Sequence, residues 1–231
     1  MQAIREAIRN AKRPAVLTGA GISAESGIPT FRGPGGLWRN YRPEDLATPQ
    51  AFQSDPKLVW EWYDWRRGLI AKAEPNSGHR AIASSGLPVI TQNVDGLHRR
   101  GGSKQVYELH GSIWTLRCTK CGAETEDYRS PLPDIPPKCA CGALLRPGVV
   151  WFGEGLPSAV WDNALQVVQS SDVLLVVGTS AVVFPAASLA PLAKLAGALV
   201  IEINPDETPL SNAVDYSLRG PAGELLPQIL E

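Results

Sequence analysis

The sequence predicts an α/β protein, a Rossmann-like doubly wound parallel sheet that carries a small inserted domain. Apolar segments of strand length alternate with segments of helical period, and each strand ends on small or polar residues. Residues 173–177 form an unbroken apolar run, which is typical of a parallel strand buried on both faces. The four cysteines all fall within residues 118–141, and this cluster predicts the insertion.

The composition is that of an ordinary globular protein. Of the 231 residues, 44% are hydrophobic and 19% are charged. The formal net charge of −1 argues against nucleic acid or an anionic membrane surface as a partner. No run of about 18 apolar residues occurs, and the first residues lack the layout of a signal peptide. We expect a cytoplasmic protein without nucleic-acid or membrane partners, and we take it to be a monomer.

The first strand leads into a glycine turn. Residues 2–12 have the spacing of an amphipathic helix, and residues 16–17 form a short buried strand. Residues 19–24 match the loose dinucleotide fingerprint G-x-G-x-x-G/A, in which glycines allow the backbone to approach a pyrophosphate. A helix beginning at Ser23 would direct N–H groups at that anion. Gly27, Pro29, Gly33 and Pro34 end this helix after about two turns.

A helical segment near residues 43–75 follows, and its longest helix begins at Asp55 and Pro56. Its tryptophans are interpreted as core or lid packing. Tyr63 and Arg66 lie three residues apart and therefore share one helix face, where a hydroxyl and a guanidinium could bind the same small anion. The alternative is that Arg66 is merely solvated on an amphipathic helix.

Two further strands end in polar groups. Residues 77–82 begin a helix that includes His79, a packed or capping histidine, and residues 87–91 form a strand. That strand ends in Gln92-Asn-Val-Asp-Gly96, where open α/β sheets bind ligands, although a simple turn is the alternative. The strand at 106–109 ends at His110 on the same side. A lone histidine is more often structural than catalytic, but this position favours a functional role.

The cysteine spacing predicts a zinc ribbon. Cys118 and Cys121 form a C-x-x-C pair, and after seventeen residues Cys139 and Cys141 form a C-x-C pair. Four thiolates fill the tetrahedral shell of one structural zinc ion. The second pair is one residue shorter than the usual knuckle. We place the zinc domain at residues 114–147, inserted into a larger domain made of residues 1–113 and 148–231.

The rest of the chain continues the alternation. We predict a strand at residues 149–154, a helix at 157–169, and the buried strand that ends in Gly178-Thr-Ser180. A helix at 185–196 and a strand at 199–203 follow, and the latter ends in Asn204-Pro-Asp206. Residues 222–230 form the terminal helix.

These motifs together resemble the sirtuins, the NAD-dependent protein lysine deacylases. The resemblance runs from residue 15 to about residue 222. It opens with Gly19-Ala-Gly-Ile-Ser, Ser26-Gly-Ile-Pro and Phe31-Arg32. Gln92-Asn-Val-Asp95 resembles the family's nicotinamide-pocket motif, and Glu108-Leu-His110-Gly resembles its catalytic histidine motif. The cysteines match its structural zinc site except for the short C-x-C knuckle, and Tyr63 with Arg66 resembles the signature of class III members.

The resemblance implies a set of site residues. His110 is the catalytic base. Tyr63, Arg66, Val150, Phe152 and Gly153 would contact the acyl-lysine substrate, and Cys118, Cys121, Cys139 and Cys141 would hold zinc. The residues implied to contact NAD are Gly19, Ala20, Gly21, Glu25, Phe31, Arg32, Trp38, Gln92, Asn93, Asp95, Gly178, Thr179, Ser180, Asn204, Pro205, Asp206 and Ala222.

The implied reaction removes acetyl groups and, through Tyr63 and Arg66, succinyl or malonyl groups from acylated lysine proteins. The acyl oxygen attacks C1′ of the nicotinamide ribose, nicotinamide leaves, and the product is 2′-O-acyl-ADP-ribose. Asn93 and Asp95 would orient the carboxamide of nicotinamide, and His110 would take a proton from a ribose hydroxyl. Residues 149–154 and 181–183 would flank an extended substrate peptide by strand addition.

Three other functions compete with this interpretation. A conventional dehydrogenase would leave the zinc ribbon and the missing ribose-binding acid unexplained. A nucleic-acid-binding zinc ribbon conflicts with the near-neutral charge. A protein ADP-ribosyltransferase is the strongest rival, because it would use the same NAD pocket.

Overall fold

The computed structural model describes residues 1–30 and 41–231. Within them, six parallel strands form one sheet in the order β3-β2-β1-β7-β8-β9. The strands of this sheet are β1 (Pro14–Thr18), β2 (Val89–Thr91), β3 (Val106–Glu108), β7 (Val173–Val177), β8 (Leu199–Asn204) and β9 (Tyr216–Arg219). The chain turns to opposite sides of β1 when it adds β2 and β7, so the strand order reverses between β1 and β7. This is the topological switch point where open α/β sheets bind ligands.

Helices cover both faces of the sheet. One face packs on α1 (Gln2–Asn10), α5 (Ser77–Ser85) and α9 (Ala222–Leu230), and the other on α7 (Ser158–Ser170) and α8 (Leu189–Leu195). Alternate residues of β7 point to opposite cores, Leu175 to the first and Leu174 to the second, because side chains alternate along a strand. All five residues of β7 are buried, which confirms the predicted central strand.

A second, antiparallel sheet has the order β5-β4-β6 and is formed by β4 (Gly111–Cys118), β5 (Glu124–Glu126) and β6 (Leu145–Val149). It packs on a helical segment through one hydrophobic core, which contains Trp60 and Leu116. The short helix α6 (Leu97–Arg100) lies after β2. The domain boundary at residues 114–147 stays a prediction. The helical segment that packs on the small sheet comprises α2 (Pro43–Leu46), α3 (Pro49–Ser54) and α4 (Pro56–Lys72).

Helix α4 begins as its sequence predicts. Asp55 caps it by accepting the N–H of Leu58 at 2.9 Å, and Pro56 occupies its first position. His79 is packed rather than capping: it is fully buried, and Asn76 is the cap of α5.

Two local predictions are wrong. Residues 149–154 do not form a strand, because β6 ends at Val149 and Gly153 adopts a left-handed φ of 87°. The N–H of Glu154 then donates to the carbonyl of Trp151 at 3.0 Å and closes a turn. The helix after the glycine turn begins at Ala20 rather than Ser23, and it is a 3₁₀ helix (Ala20–Ser26). It does end after about two turns, at Gly27.

Some elements have no clear sequence pattern. Strand β9 is short and mostly exposed, so it lacks the apolar alternation that predicts a strand.

None of the helices in the described ranges has both the length and the apolar character needed to cross a membrane.

Candidate active site

A cavity of about 580 Å³ opens at the switch point of the large sheet. That volume lies within the range of about 300 to 1,000 Å³ typical of small-molecule sites. The carboxyl ends of β1, β2, β7 and β8 meet at this edge, because parallel strands all end on the same side of their sheet. The glycine turn, Asn93, Gly178 and Asn204 therefore come together although they lie far apart in the sequence.

Two backbone segments approach each other closely at the glycine turn. A Cβ on Gly21 would lie 2.7 Å from the Gly178 carbonyl oxygen, and one on Gly19 would lie 2.8 Å from the same atom. Gly178 itself has a left-handed φ of 60° and leaves room for the backbone of Ile22. The glycines are thus required to pack the turn after β1 against the turn after β7, in addition to any contact with a phosphate.

The polar strand ends bind one another through Thr179. Its hydroxyl accepts from Gln92 Nε2 at 2.9 Å, and its carbonyl accepts from Asn204 Nδ2 at 2.8 Å. These bonds tie the ends of β2, β7 and β8 together. The cavity floor is therefore preorganised before any ligand enters.

Asn93 is held against the glycine turn. Its Nδ2 group donates to the Gly19 carbonyl at 3.1 Å and to Ser23 Oγ at 3.2 Å. Ser23 in turn donates to Asp95 Oδ2 at 2.8 Å, while Asp95 Oδ1 accepts the N–H of Leu97 at 2.9 Å. Both amide hydrogens of Asn93 are engaged, which leaves its Oδ1 as an acceptor. Burial raises the pKa of Asp95 above its ordinary value, although the bonds from Leu97 and Ser23 oppose the rise.

His110 is fixed in one tautomer. Its Nδ1 lies 2.9 Å from the carbonyl oxygen of Gln92, and a carbonyl can only accept, so Nδ1 carries the proton. Nε2 then keeps its lone pair. Burial lowers the pKa of His110 below its ordinary value, and the bond to Gln92 opposes part of that shift. The side chain therefore lines the cavity as a neutral imidazole at neutral pH.

Tyr63 and Arg66 both line the cavity, as their spacing on α4 predicts. They are only 2% and 5% exposed, so Arg66 is not the solvated side chain of the alternative interpretation. The Arg66 guanidinium carbon lies 4.8 Å from the ring centre of Trp62. Burial lowers the pKa of Arg66, while Tyr63 and Asp95 act in the opposite direction. A buried charge is stabilised when it is paired or hydrogen-bonded.

The comparisons with known proteins agree with one another. The Sir2 family model matches residues 19–185, which is more than half of the chain. The chain belongs to the Sir2 family. A protein of Aquifex aeolicus named NAD-dependent protein deacylase is 57% identical over 221 residues, which cover 93% of this chain and 92% of that protein.

Solved structures of Sir2 proteins are similar to this protein over the full length of its chain. A Sir2 homolog–NAD complex has a TM-score of 0.95 and 53% identity, and the match covers 100% of this chain and 92% of that one. A complex of Sir2 with a p53 peptide and NAD⁺ has a TM-score of 0.88 and 30% identity, with 100% and 97% coverage.

Most of the predicted site residues of this Sir2 chain line the cavity. Glu25, Asp95 and Ala222 are not among the lining residues that the structure describes. Glu25 Oε2 instead accepts the N–H of Gly223 at 2.7 Å and thereby ties the 3₁₀ helix to α9. Phe31, Arg32 and Trp38 lie outside the described residues. The predicted residues that do line the cavity are Gly19, Ala20, Gly21, Tyr63, Arg66, Gln92, Asn93, His110, Val150, Phe152, Gly153, Gly178, Thr179, Ser180, Asn204, Pro205 and Asp206.

Sequence reasoning missed several lining residues of the Sir2 cavity. Trp151 and Glu154 lie in its wall, although they were assigned only to a flanking strand. Phe184 and Thr208 also line it, and they come from loops after β7 and β8. Their position just beyond strand ends was the available signal, but loop residues carry no periodic pattern that would indicate which of them face inward.

The four cysteines of the Sir2 chain form one cluster, in which the sulfur atoms all lie within 4.8 Å of one another. Cys118 and Cys141 are 3.5 Å apart, and Cys121 and Cys139 are 3.8 Å apart. Zn–S bonds of about 2.3 Å in a tetrahedron place sulfur atoms about 3.8 Å apart, whereas a disulfide requires about 2.05 Å. The cluster therefore fits one structural zinc ion.

The short C-x-C knuckle closes on a glycine, as the longer knuckle does. Gly142 donates its N–H to the carbonyl of Cys139 at 2.8 Å with a left-handed φ of 84°, and Gly122 closes the first knuckle with a φ of 71°. The shorter spacing of the C-x-C knuckle thus still leaves the sulfur atoms of Cys139 and Cys141 within reach of one ion. None of the cysteines is among the described residues of the cavity wall.

Proposed function

We propose that this Sir2 chain is an NAD-dependent protein lysine deacylase that prefers malonyl and succinyl groups to acetyl. The deacylase activity is supported by the names of the similar proteins. The acyl preference rests on a single observation: Arg66 is buried beside Tyr63 in the wall of the cavity. An acetyl group offers nothing to a buried cation, whereas a carboxylate does.

The cavity fits the nucleotide through its glycine turn and polar strand ends. When bound, NAD supplies a ribose carbon that an acyl oxygen can attack as nicotinamide departs. The turn after β1 would hold the phosphates, and Thr179 with Asn204 would hold the adenosine side. Asn93 Oδ1 would accept from the carboxamide of nicotinamide, because both hydrogens of its Nδ2 group already have acceptors.

His110 would act as the general base. The Gln92 carbonyl keeps the proton on Nδ1, so Nε2 can take a proton from a ribose hydroxyl. Since burial lowers the pKa of His110, the neutral form required for this step predominates at neutral pH.

The substrate peptide would lie along residues 150–153. The backbone N–H groups of Val150, Trp151 and Phe152 donate to His110, Glu154 and Ala47 respectively. An added strand would therefore donate its own N–H groups to carbonyl oxygens of this segment. Such backbone pairing gives affinity with little sequence selectivity.

The proposal is tested with acetyl-, malonyl-, succinyl- and glutaryl-lysine peptides of one sequence in the presence of NAD. A hydrogen bond to a charged group contributes roughly 1.5 to 3 kcal/mol. We therefore expect kcat/KM to be about ten- to a hundredfold higher for succinyl-lysine than for acetyl-lysine. Arg66→Met and Tyr63→Phe should each remove most of this preference while sparing deacetylation.

Matched controls come from residues outside the described wall of the cavity. Lys57→Met removes an exposed cation from the first turn of α4, and Tyr107→Phe removes a hydroxyl that accepts from Gln105. Neither should change the ratio of the two activities. Equal losses on acetyl and succinyl peptides in the Arg66 and Tyr63 variants would contradict the proposed acyl preference.

Protein ADP-ribosylation is the alternative use of the same pocket, and no observation favours it over deacylation. Mass spectrometry of the products separates the two: deacylation gives free lysine and 2′-O-acyl-ADP-ribose, whereas the alternative gives a protein that carries ADP-ribose. A monomeric state, a cytoplasmic location and independence from nucleic acid stay predictions.

A further inference from the structure

Trp151 contacts Tyr63, one member of the proposed acyl-binding pair Tyr63 and Arg66. Its indole Nε1 lies 3.0 Å from the hydroxyl oxygen of Tyr63, a residue 88 positions away in the sequence. Trp151 and Tyr63 are 3% and 2% exposed, and both line the cavity. The contact is therefore shielded from water and forms part of the wall itself.

The chemistry of this bond fixes its direction. An indole N–H can only donate, so the Tyr63 oxygen must be the acceptor. The hydroxyl proton of Tyr63 is then left for a second partner. Trp151 is the one hydrogen-bond partner of this hydroxyl within residues 1–30 and 41–231. Burial raises the pKa of Tyr63, although Arg66 and Trp151 oppose the rise, so the hydroxyl keeps that proton at neutral pH.

Three contacts hold Trp151 in place. The guanidinium carbon of Arg146 lies 3.5 Å from the centre of its ring. Arg146 is itself bound by both carboxylate oxygens of Glu154, at 2.6 and 2.9 Å, and Glu154 also accepts the backbone N–H of Trp151 at 2.8 Å. The ring of Phe52 packs at 5.3 Å between centroids. The indole N–H therefore has a fixed direction.

We propose that Trp151 is a positioning residue that determines acyl specificity, because its N–H makes Tyr63 an obligatory donor toward the acyl end of the cavity. Without this bond the Tyr63 hydroxyl could rotate its proton away and present a lone pair to the substrate. A lone pair repels a carboxylate, whereas an O–H group binds it. The inference rests on the proposed preference for acidic acyl groups. It assigns the orientation of the Tyr63 hydroxyl to a residue outside the Tyr-x-x-Arg pair.

A double-mutant cycle on the succinyl-to-acetyl ratio of kcat/KM tests the proposal. Trp151→Phe removes the donor and should lower this ratio by roughly three- to tenfold, the size expected for one hydrogen bond. In the Tyr63→Phe background the same change should leave the ratio within about twofold, because no hydroxyl remains to be oriented. Trp161→Phe, on the distant helix α7, is the matched control and should leave the ratio unchanged.

A second replacement separates the donor from the shape of the ring. Benzothienylalanine at position 151 keeps the bicyclic ring but has sulfur in place of the N–H group, and it should lower the ratio as Trp151→Phe does. A full effect of Trp151→Phe in the Tyr63→Phe background, or an unchanged ratio with benzothienylalanine, would overturn the proposal. Absence of a succinyl preference in the unmodified enzyme would instead refute the proposed function, and the inference with it.

Discussion

Single residues in the cavity owe their chemistry to the neighbours that bind them. The Gln92 carbonyl selects the tautomer of His110, and the indole of Trp151 selects the direction of the Tyr63 hydroxyl. In both pairs a group that can act only as acceptor or only as donor forces the role of a group that can act as either. These side chains are therefore oriented before any ligand binds.

His110 gives the prediction at this scale. His110→Ala should lower kcat by about a hundredfold or more, the usual size of a lost general base, and leave NAD affinity largely intact. Steady-state kinetics and calorimetric titration with NAD measure the two quantities. Near-normal turnover in a folded variant would make His110 a structural residue.

The same residue predicts the pH dependence of catalysis. The base must be neutral, so activity is lost as the pH falls through the pKa of His110. Because burial lowers that pKa below the ordinary value of 6.5, the acid limb of the kcat profile should lie below pH 6.5. A limb above that pH would mean that His110 is not the group that titrates, or that its charged form is stabilised in the complex.

At the scale of elements, a buried carboxylate organises the segment from β8 to β9. Glu202 is 1% exposed and accepts from the hydroxyls of Ser217 at 2.6 Å and Ser211 at 2.7 Å, from Thr208, and from Arg219 at 3.1 Å. Burial alone would raise its pKa, but these donors hold the pKa of Glu202 below its ordinary value. The loop that they fix contributes residues 205–209 to the cavity wall.

Glu202→Gln should therefore affect both stability and nucleotide affinity. The variant keeps the shape of the side chain but weakens hydrogen bonds to a charged group, each of which contributes roughly 1.5 to 3 kcal/mol. We expect a loss of this size in the free energy of unfolding by urea titration, together with a higher KM for NAD. Glu224→Gln is a matched control on the exposed start of α9. A changed KM in that variant, or an unchanged KM in Glu202→Gln, would show that the loop is not fixed through the carboxylate.

At the scale of the whole molecule, one hydrophobic core connects the cysteine cluster to the cavity. This core contains Cys118 and Leu145 of the small sheet, Tyr63 of α4, and Trp151. Trp60 adds a polar tie, because its indole donates to the Leu145 carbonyl at 2.8 Å. Zinc would thus stabilise the part of the cavity wall that contains Tyr63 and Trp151, without lining the cavity itself.

Removal of zinc should act through stability. Zinc binding supplies several kcal/mol or more of folding free energy, and each kcal/mol shifts the thermal midpoint of a chain of this size by roughly 2 to 4 °C. A chelator or Cys139→Ser should therefore lower the midpoint by roughly 10 °C or more, with activity lost in parallel and restored to the chelated protein by added zinc. Loss of turnover at an unchanged midpoint would place the metal in the chemistry instead.

The sequence by itself determined the features that are local in the chain. Asp55 with Pro56 specifies the start of α4, and the helix predicted at 222–230 is observed as Ala222–Leu230. The edge at which polar groups gather was also predictable, because parallel strands all end on one side of their sheet. Cysteine spacing likewise predicted the four-sulfur cluster.

Only the tertiary structure decided which distant groups meet. The bond between Trp151 and Tyr63 spans 88 residues, and the bond between Glu25 and Gly223 spans 198. It also decided that Arg66 is buried rather than solvated and that β9 completes the large sheet. The physical reason is that periodicity and turn residues encode the local backbone conformation and which face is apolar. The pairing of one donor with one acceptor is set only when separate elements pack together.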